Sequence, residues 1–184
     1  YVDLNADGEI NSNDATRDIG YTDMPEYTAG LNTGFSWKNF DFSMQWTGAW
    51  NVDRMLDEFR RPLGDTNEKG LLLYQYDTTW RSSADTFTAK FPRTSSLHAS
   101  NNYAGSDLYL INASYLRLKS VEIGYNFNFP FMKKLKMDNC RLYVNGYNLI
   151  TITGFKWGDP ESRQSSRPNY PLTRVFNIGL KLGF

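Results

Sequence analysis

Apolar and polar residues alternate over long runs of this chain. From Tyr27 to Lys38 the odd positions are Tyr27, Ala29, Leu31, Thr33, Phe35 and Trp37, and the even ones are Thr28, Gly30, Asn32, Gly34, Ser36 and Lys38. Successive side chains of a strand point to opposite faces, so this run predicts a β-strand with one apolar face. A tight Lys38-Asn39 turn leads to a second run, with Phe40, Phe42, Met44, Trp46, Gly48 and Trp50 against Asp41, Ser43, Gln45, Thr47 and Ala49. The two form a hairpin. Tyr115 to Phe127 alternates twice, out of phase: Leu116 and Leu118 share one parity, Val121, Ile123, Tyr125 and Phe127 the other. One extra residue near Lys119-Ser120, a β-bulge, reconciles the halves. In Arg141–Ile152 the residues Leu142, Val144, Ile150 and Ile152 share a parity that Asn148 interrupts, and Phe176, Ile178, Leu180, Leu182 and Phe184 close the chain cleanly.

These five runs are roughly ten to thirteen residues each. Strands of soluble proteins are typically about 5–6 residues, whereas a tilted membrane-barrel strand needs about 9–11, apolar outward and polar inward. The connections alternate between short (Lys38-Asn39, Phe129–Asp138) and long (51–110, 153–172). A soluble β-sandwich also alternates. Against it stand the strand lengths and a long connection far beyond the ~15 residues usual in a compact domain. The fold class expected is therefore all-β, part of a transmembrane antiparallel barrel. Outer-membrane barrels have short periplasmic turns and long extracellular loops. Tracing strand directions back from Phe184 then puts everything before Tyr27 outside the cell. The lumen-side candidates are Asn32, Ser36, Asp41, Ser43, Gln45, Asn177 and Lys181.

Composition adds to this picture. Aromatics make up 16 % of the chain, yet mean hydropathy is −0.56, and no apolar run approaches the ~20 residues of a membrane helix. The 20 basic and 20 acidic residues cancel, which gives no reason to expect a nucleic-acid partner. Cys140 is the single cysteine, so no disulfide forms within the chain. The first residues, Tyr1-Val2, show neither an initiator Met nor a signal peptide, and the chain reads as a piece of something longer.

Asp3-Leu4-Asn5-Ala6-Asp7-Gly8-Glu9-Ile10-Asn11-Ser12-Asn13-Asp14 has the spacing of an EF-hand calcium loop. Calcium takes oxygen ligands, supplied in that loop by positions 1, 3, 5, 7, 9 and 12, with Gly at 6 for the turn. Those places hold Asp3, Asn5, Asp7, Glu9 (through its carbonyl), Asn11 and Asp14, with Gly8 at the turn. Asp14 replaces the usual Glu, so it must sit closer to the ion or bind through one oxygen. An ordinary Asx-rich turn is the plain alternative. A structural calcium ion is the cofactor expected, and a calcium-dependent extracellular binding or adhesion module, resembling a dockerin, is the alternative function. One loop followed by Pro25 and β-pattern disfavours it, since dockerins carry two loops with helices.

Catalytic chemistry is weakly represented. His98 is the single histidine, among Ser95, Ser96 and Ser100. A nucleophile needs a base and an orienting group, and no His or Cys spacing suits zinc, so no enzyme is expected. Asp159 and Glu161 lie in the last long connection, as loop structure, a lid contact or a second cation site. Tyr74, Tyr76, Trp80, Tyr103, Trp157 and Tyr170 either stack on sugars or peptides or pack the connections.

Several segments together carry a family resemblance: Tyr1–Ile10, Trp80 with Ala89–Arg93, Ser114–Tyr125, Asn145–Leu149, Gly158–Glu161, Tyr170-Pro171 and Gly179–Phe184. In this order and at these spacings, spread over nearly the whole chain, they resemble the C-terminal part of a SusC/RagA-type TonB-dependent outer-membrane transporter. Tyr147 stands where such proteins usually have Gln. The resemblance implies that 1–184 is the last five strands of a plugged barrel of about 22 strands, the plug lying upstream. It also implies import of oligosaccharides or oligopeptides, energised through TonB, beneath a SusD-like surface lipoprotein lid. A dimeric assembly stays open. Phe184 resembles the terminal signal by which such barrels are recognised for assembly.

Overall fold

The computed structural model describes residues 2–56, 73–94, 100–130, 136–162 and 172–184. Five long strands form one antiparallel sheet: β1 (Tyr27–Trp37), β2 (Phe40–Trp50), β5 (Tyr115–Phe127), β6 (Asn139–Thr153) and β7 (Val175–Gly183), in the order β1-β2-β5-β6-β7. Two three-residue strands, β3 (Asp53–Met55) and β4 (Leu110–Asn112), pair separately. The β1–β2 hairpin turns at Lys38 (φ +55°), in the left-handed region, with Trp37 opposite Phe40. Among the described residues no helix is long and apolar enough to cross a membrane.

The pairing register builds the two faces that the alternation predicts. Phe35, Phe42, Ile123, Val144 and Ile178 form one continuous row across all five strands, and Trp37, Phe40, Tyr125, Leu142 and Leu180 form the next. The opposite face carries the row Gly34, Ser43, Glu122, Asn145, Asn177. The bulge falls where the phase change requires it. Ser120 pairs with Gln45 and Leu118 with Trp46, so Lys119 is the extra residue. The same shift recurs against β6, where Leu118 faces Ile150 but Ser120 faces Tyr147, and Asn148 adopts φ +54°. Asn tolerates that conformation better than most residues, which accounts for its interruption of the β6 pattern.

The apolar face of the sheet is not buried. Leu31, Phe35, Ile123, Val144, Phe176 and Ile178 are all exposed. The buried core lies among the connections at one end of the sheet, where β2, β5 and β6 meet the long connections. Val52, Leu56, Phe91, Tyr109, Ala113 and Phe155 pack together there, with Met55, Tyr74, Ile111 and Trp157 against them. Backbone bonds from Leu56 N–H to the Tyr109 carbonyl (2.9 Å) and from Ala113 N–H to the Val52 carbonyl (2.8 Å) hold the two sides of this layer. A short helix, α1 (Leu73–Thr78), brings Tyr74 onto Trp157 (ring centroids 4.6 Å) and Phe91 (5.9 Å), both edge-on.

Candidate functional site

Three polar groupings stand out: the loop at 3–14, a clasp at the mouth of the sheet, and a ladder across its polar face.

The 3–14 loop is held by its own side chains. Asp3 Oδ2 accepts from Gly8 N–H (2.8 Å), Asn5 Oδ1 from Asp7 N–H (3.1 Å) and Asp7 Oδ1 from Glu9 N–H (2.8 Å). Asp14 closes the ring, with Oδ1 accepting from Leu4 N–H and Oδ2 from Asn11 N–H, each at 2.8 Å. The Asn11 and Leu4 amides hold the Asp14 carboxyl below its ordinary value, because they favour the charged form. Gly8 has φ +84° and Ala6 φ +58°. Asn11 Oδ1 accepts from Asn13 N–H (2.8 Å), capping a 3₁₀ turn over Ser12–Asp14. Asp3 Oδ1 is enclosed and has no hydrogen-bond partner, a lone acceptor of the kind a hard cation takes. No three His, Cys, Asp or Glu side chains among the described residues come together as a metal-binding group, so any ion here relies on Asn and carbonyl oxygens as well. The chain continues into extended structure and β1, and no helix flanks the loop among the described residues.

The clasp centres on Arg117 of β5, 2 % exposed. Its guanidinium donates to Asp159 Oδ1 (2.8 Å), Glu161 Oε2 (2.7 Å) and Thr151 Oγ1 (3.1 Å), and lies 5.2 Å from the Tyr115 ring centroid. The Asp159-Pro160-Glu161 stretch of the last connection is thus fixed to the wall of the sheet. Arg54 of β3, 6 % exposed, holds the carbonyl between them, reaching Pro160 O at 3.4 Å, and it also donates to the Asp23 carbonyl. A cavity of about 260 Å³ beside the clasp is lined by Arg117, Thr151, Thr153, Gly158, Asp159, Pro160 and Leu172.

The ladder runs over four strands. Arg141 bonds Asp41 of β2 and donates to Glu122 Oε1 of β5 (2.8 Å). Asn145 donates to Glu122 Oε2 (3.2 Å) and Asn177 to Asn145 Oδ1 (2.9 Å). Glycine makes room for these side chains: a Cβ at Gly124 would collide with Arg141, and one at Gly179 with the Tyr143 ring. Asn32, Ser36, Asp41, Ser43, Gln45, Asn177 and Lys181 all fall on this face by register, and Asp41 and Asn177 join the ladder. Arg141, Glu122 and Asn145 were not singled out by sequence. Their signal was a charged or amide side chain at the polar parity of an otherwise apolar strand.

Of the aromatic candidates, Tyr74 and Trp157 pack the layer of connections, Tyr76 lies under Arg81 (4.2 Å), and Trp80 and Tyr103 are half-buried. His98, Ser95, Ser96 and Tyr170 lie outside the described residues, as does the side chain of Ser100.

No protein-family model matches the chain. Over its whole length it is 29 % identical to the protein named TonB-dependent receptor P3 of Formosa agariphila and 28 % identical to the one named TonB-dependent receptor SusC of Bacteroides thetaiotaomicron. The chain resembles a TonB-dependent receptor of the SusC/RagA type. It spans 19 % and 17 % of those two relatives, and so matches a small portion of such large receptors. Solved structures agree on the fold. The RagAB peptide importer in its closed-closed state superposes with TM-score 0.70 at 20 % identity, covering 97 % of this chain and 20 % of that one. In its open-open state the values are 0.69, 23 %, 89 % and 18 %. The sheet is therefore a partial, all-β section with the fold of barrel receptors of the TonB-dependent kind.

Proposed function

We propose that this chain is part of the barrel wall of a TonB-dependent importer in the outer membrane, and that it carries out transport rather than catalysis. The observation that carries the reading is the exposed apolar face running unbroken across five strands, backed by a hydrogen-bonded polar face. An 11-residue strand is ~36 Å long and, tilted by about 40°, rises ~28 Å, close to the ~30 Å hydrocarbon core. Aromatic residues Trp37, Phe40, Tyr125 and Phe127 collect at the short-turn end of the sheet, as barrel girdles do. Open strand edges at β1 and β7 are not tolerated in lipid and call for further strands on both sides. The proposed cargo is an oligosaccharide or oligopeptide, the proposed partners are TonB and a SusD-like lipoprotein lid, and the layer of connections faces the outside.

In this reading the 3–14 loop holds a structural calcium ion. Asp3, Asn5, Asp7 and Asp14 would have to turn side-chain oxygens from the loop amides onto the ion, Glu9 would add its carbonyl, and Asn11 would serve the ninth position. Extracellular calcium modules bind at roughly 10⁻⁴–10⁻³ M, so the ion would be a permanent clip. The Asp3→Ala, Asp7→Ala double variant should make the segment before β1 protease-sensitive on whole cells. Equal cleavage of variant and parent, with and without chelator, argues against the ion.

Uptake decides the main reading. Cells lacking the full-length receptor should lose TonB-dependent uptake of a labelled oligosaccharide or oligopeptide pool, and the protein should fractionate with the outer membrane. Recovery of the full-length protein without detergent in the soluble fraction would sink the proposal.

A further inference from the structure

The described residues bury four polar or charged side chains: Asp53, Arg54, Thr79 and Arg117. Three of these surround one place, where the segment before β1, the β3–β4 strand pair and the last connection meet. Asp53 grips the segment before β1 twice. Its Oδ2 accepts from Tyr21 N–H (2.7 Å) and its own N–H donates to the Thr22 carbonyl (3.1 Å). Gly20 (φ +65°) is seated so closely that a Cβ would collide with Asp53 and Leu110. The adjacent Arg54 spans two chain segments far apart in sequence, donating to the carbonyls of Asp23 and Pro160. Arg117 then holds Asp159 and Glu161, on either side of that proline, to the wall.

Buried arginines are costly unless their donors are satisfied, and a guanidinium presents its donors in a fixed planar fork. An Arg that divides its fork between two carbonyls sets the distance between them. We infer that Asp53-Arg54 is a coupling joint: it makes the segment before β1 and the Asp159–Ser162 stretch of the last connection one body, which Arg117 clasps to the wall through Asp159 and Glu161. The inference does not depend on the 3–14 loop holding a cation. Its consequence is that an event ordering or displacing either connection is felt at the other, the reciprocity that defines coupled sites.

The test is dipolar electron paramagnetic resonance on the full-length receptor in detergent, in a background without native cysteines. Label pairs are placed at Met24 with Ser162, and at Asn32 with Ser162. In the parent protein both distances should be narrow. In Arg117→Gln the wall distance should broaden while the Met24–Ser162 distance stays narrow, because the two connections move together. In Arg54→Gln the Met24–Ser162 distance should broaden. Arg54→Lys, which reaches a single carbonyl, should broaden it too while keeping the charge. Where Arg117→Gln fails to assemble, Glu161→Gln weakens the same clasp from its exposed side. An unchanged Met24–Ser162 distance in both Arg54 variants, or its broadening when only the Arg117 clasp is weakened, overturns the coupling.

Discussion

Phe155 and Ile178 lie on neighbouring parts of the same chain, yet the first is 4 % exposed and the second 78 %. Around Phe155 the layer of connections is built like a small soluble domain, with aromatic and aliphatic side chains turned inward around a few buried, hydrogen-bonded polar ones. Around Ile178 the sheet is reversed, with its aliphatic rows exposed on one face and its charged ladder on the other. The difference teaches that each region is made for its own surroundings. In water, apolar burial drives the layer together. In the bilayer proposed for the sheet there is no such drive, which leaves backbone pairing and the polar ladder to hold it.

Substitutions that exchange the two regimes should separate them. Phe155→Ala removes a core aromatic and should destabilise the layer of connections by about 3–5 kcal/mol. Limited proteolysis between residues 73 and 94 should report it, while the heat-modifiable gel shift of the barrel stays intact. Arg117→Ala leaves Asp159, 11 % exposed, without its cation, although Glu161, 45 % exposed, can turn to water. The cost should fall at the lower end for a broken buried pair, about 3 kcal/mol, read as faster cleavage of the last connection. Ile178→Arg should cost roughly 2 kcal/mol in a bilayer, measured by urea unfolding in liposomes. On a water-facing surface the same change would stay within about 0.5 kcal/mol, so a neutral result breaks the comparison at its centre.

The smallest effect is that of acid on the 3–14 loop. Amide donors hold Asp14 below its ordinary value of 3.8. A carboxyl depressed on folding contributes stability that is complete above its unfolded value and is lost as pH falls through the folded one. The loop should therefore keep its amide-exchange protection across neutral and mildly acidic pH and lose it only below 3.8. Loss of protection already at pH 5 would show that the Asp14 amide contacts do not hold the loop.

Much of this architecture could be read from the residues. The strands at Tyr27, Phe40, Tyr115, Arg141 and Val175, and the bulge at Lys119, follow from a period of two that a one-sided sheet cannot avoid. The pairing of β3 with β4 was not legible, since three residues establish no period. Nor was the clasp. Arg117 looks like any polar-face residue of β5, and Asp159 and Glu161 like any loop carboxylates; only the register of β5 with β6 brings them together. The layer's core was hidden for a related reason. Val52, Tyr109 and Phe155 come from three stretches without repeating pattern, and aromatic content alone did not tell packing from recognition.

Lys119 illustrates how little separates a working wall from an inverted one. Were Lys119 to take a regular place in the ladder instead of bulging, Val121, Ile123, Tyr125 and Phe127 would share the face of Arg117, and Glu122 would change places with them. In the proposed barrel, half of β5 would then present oil to the water-filled side and a carboxylate to the hydrocarbon. Deleting that one codon is the milder event, because Leu118, Ser120 and Val121 then alternate directly and the strand keeps its faces without a bulge.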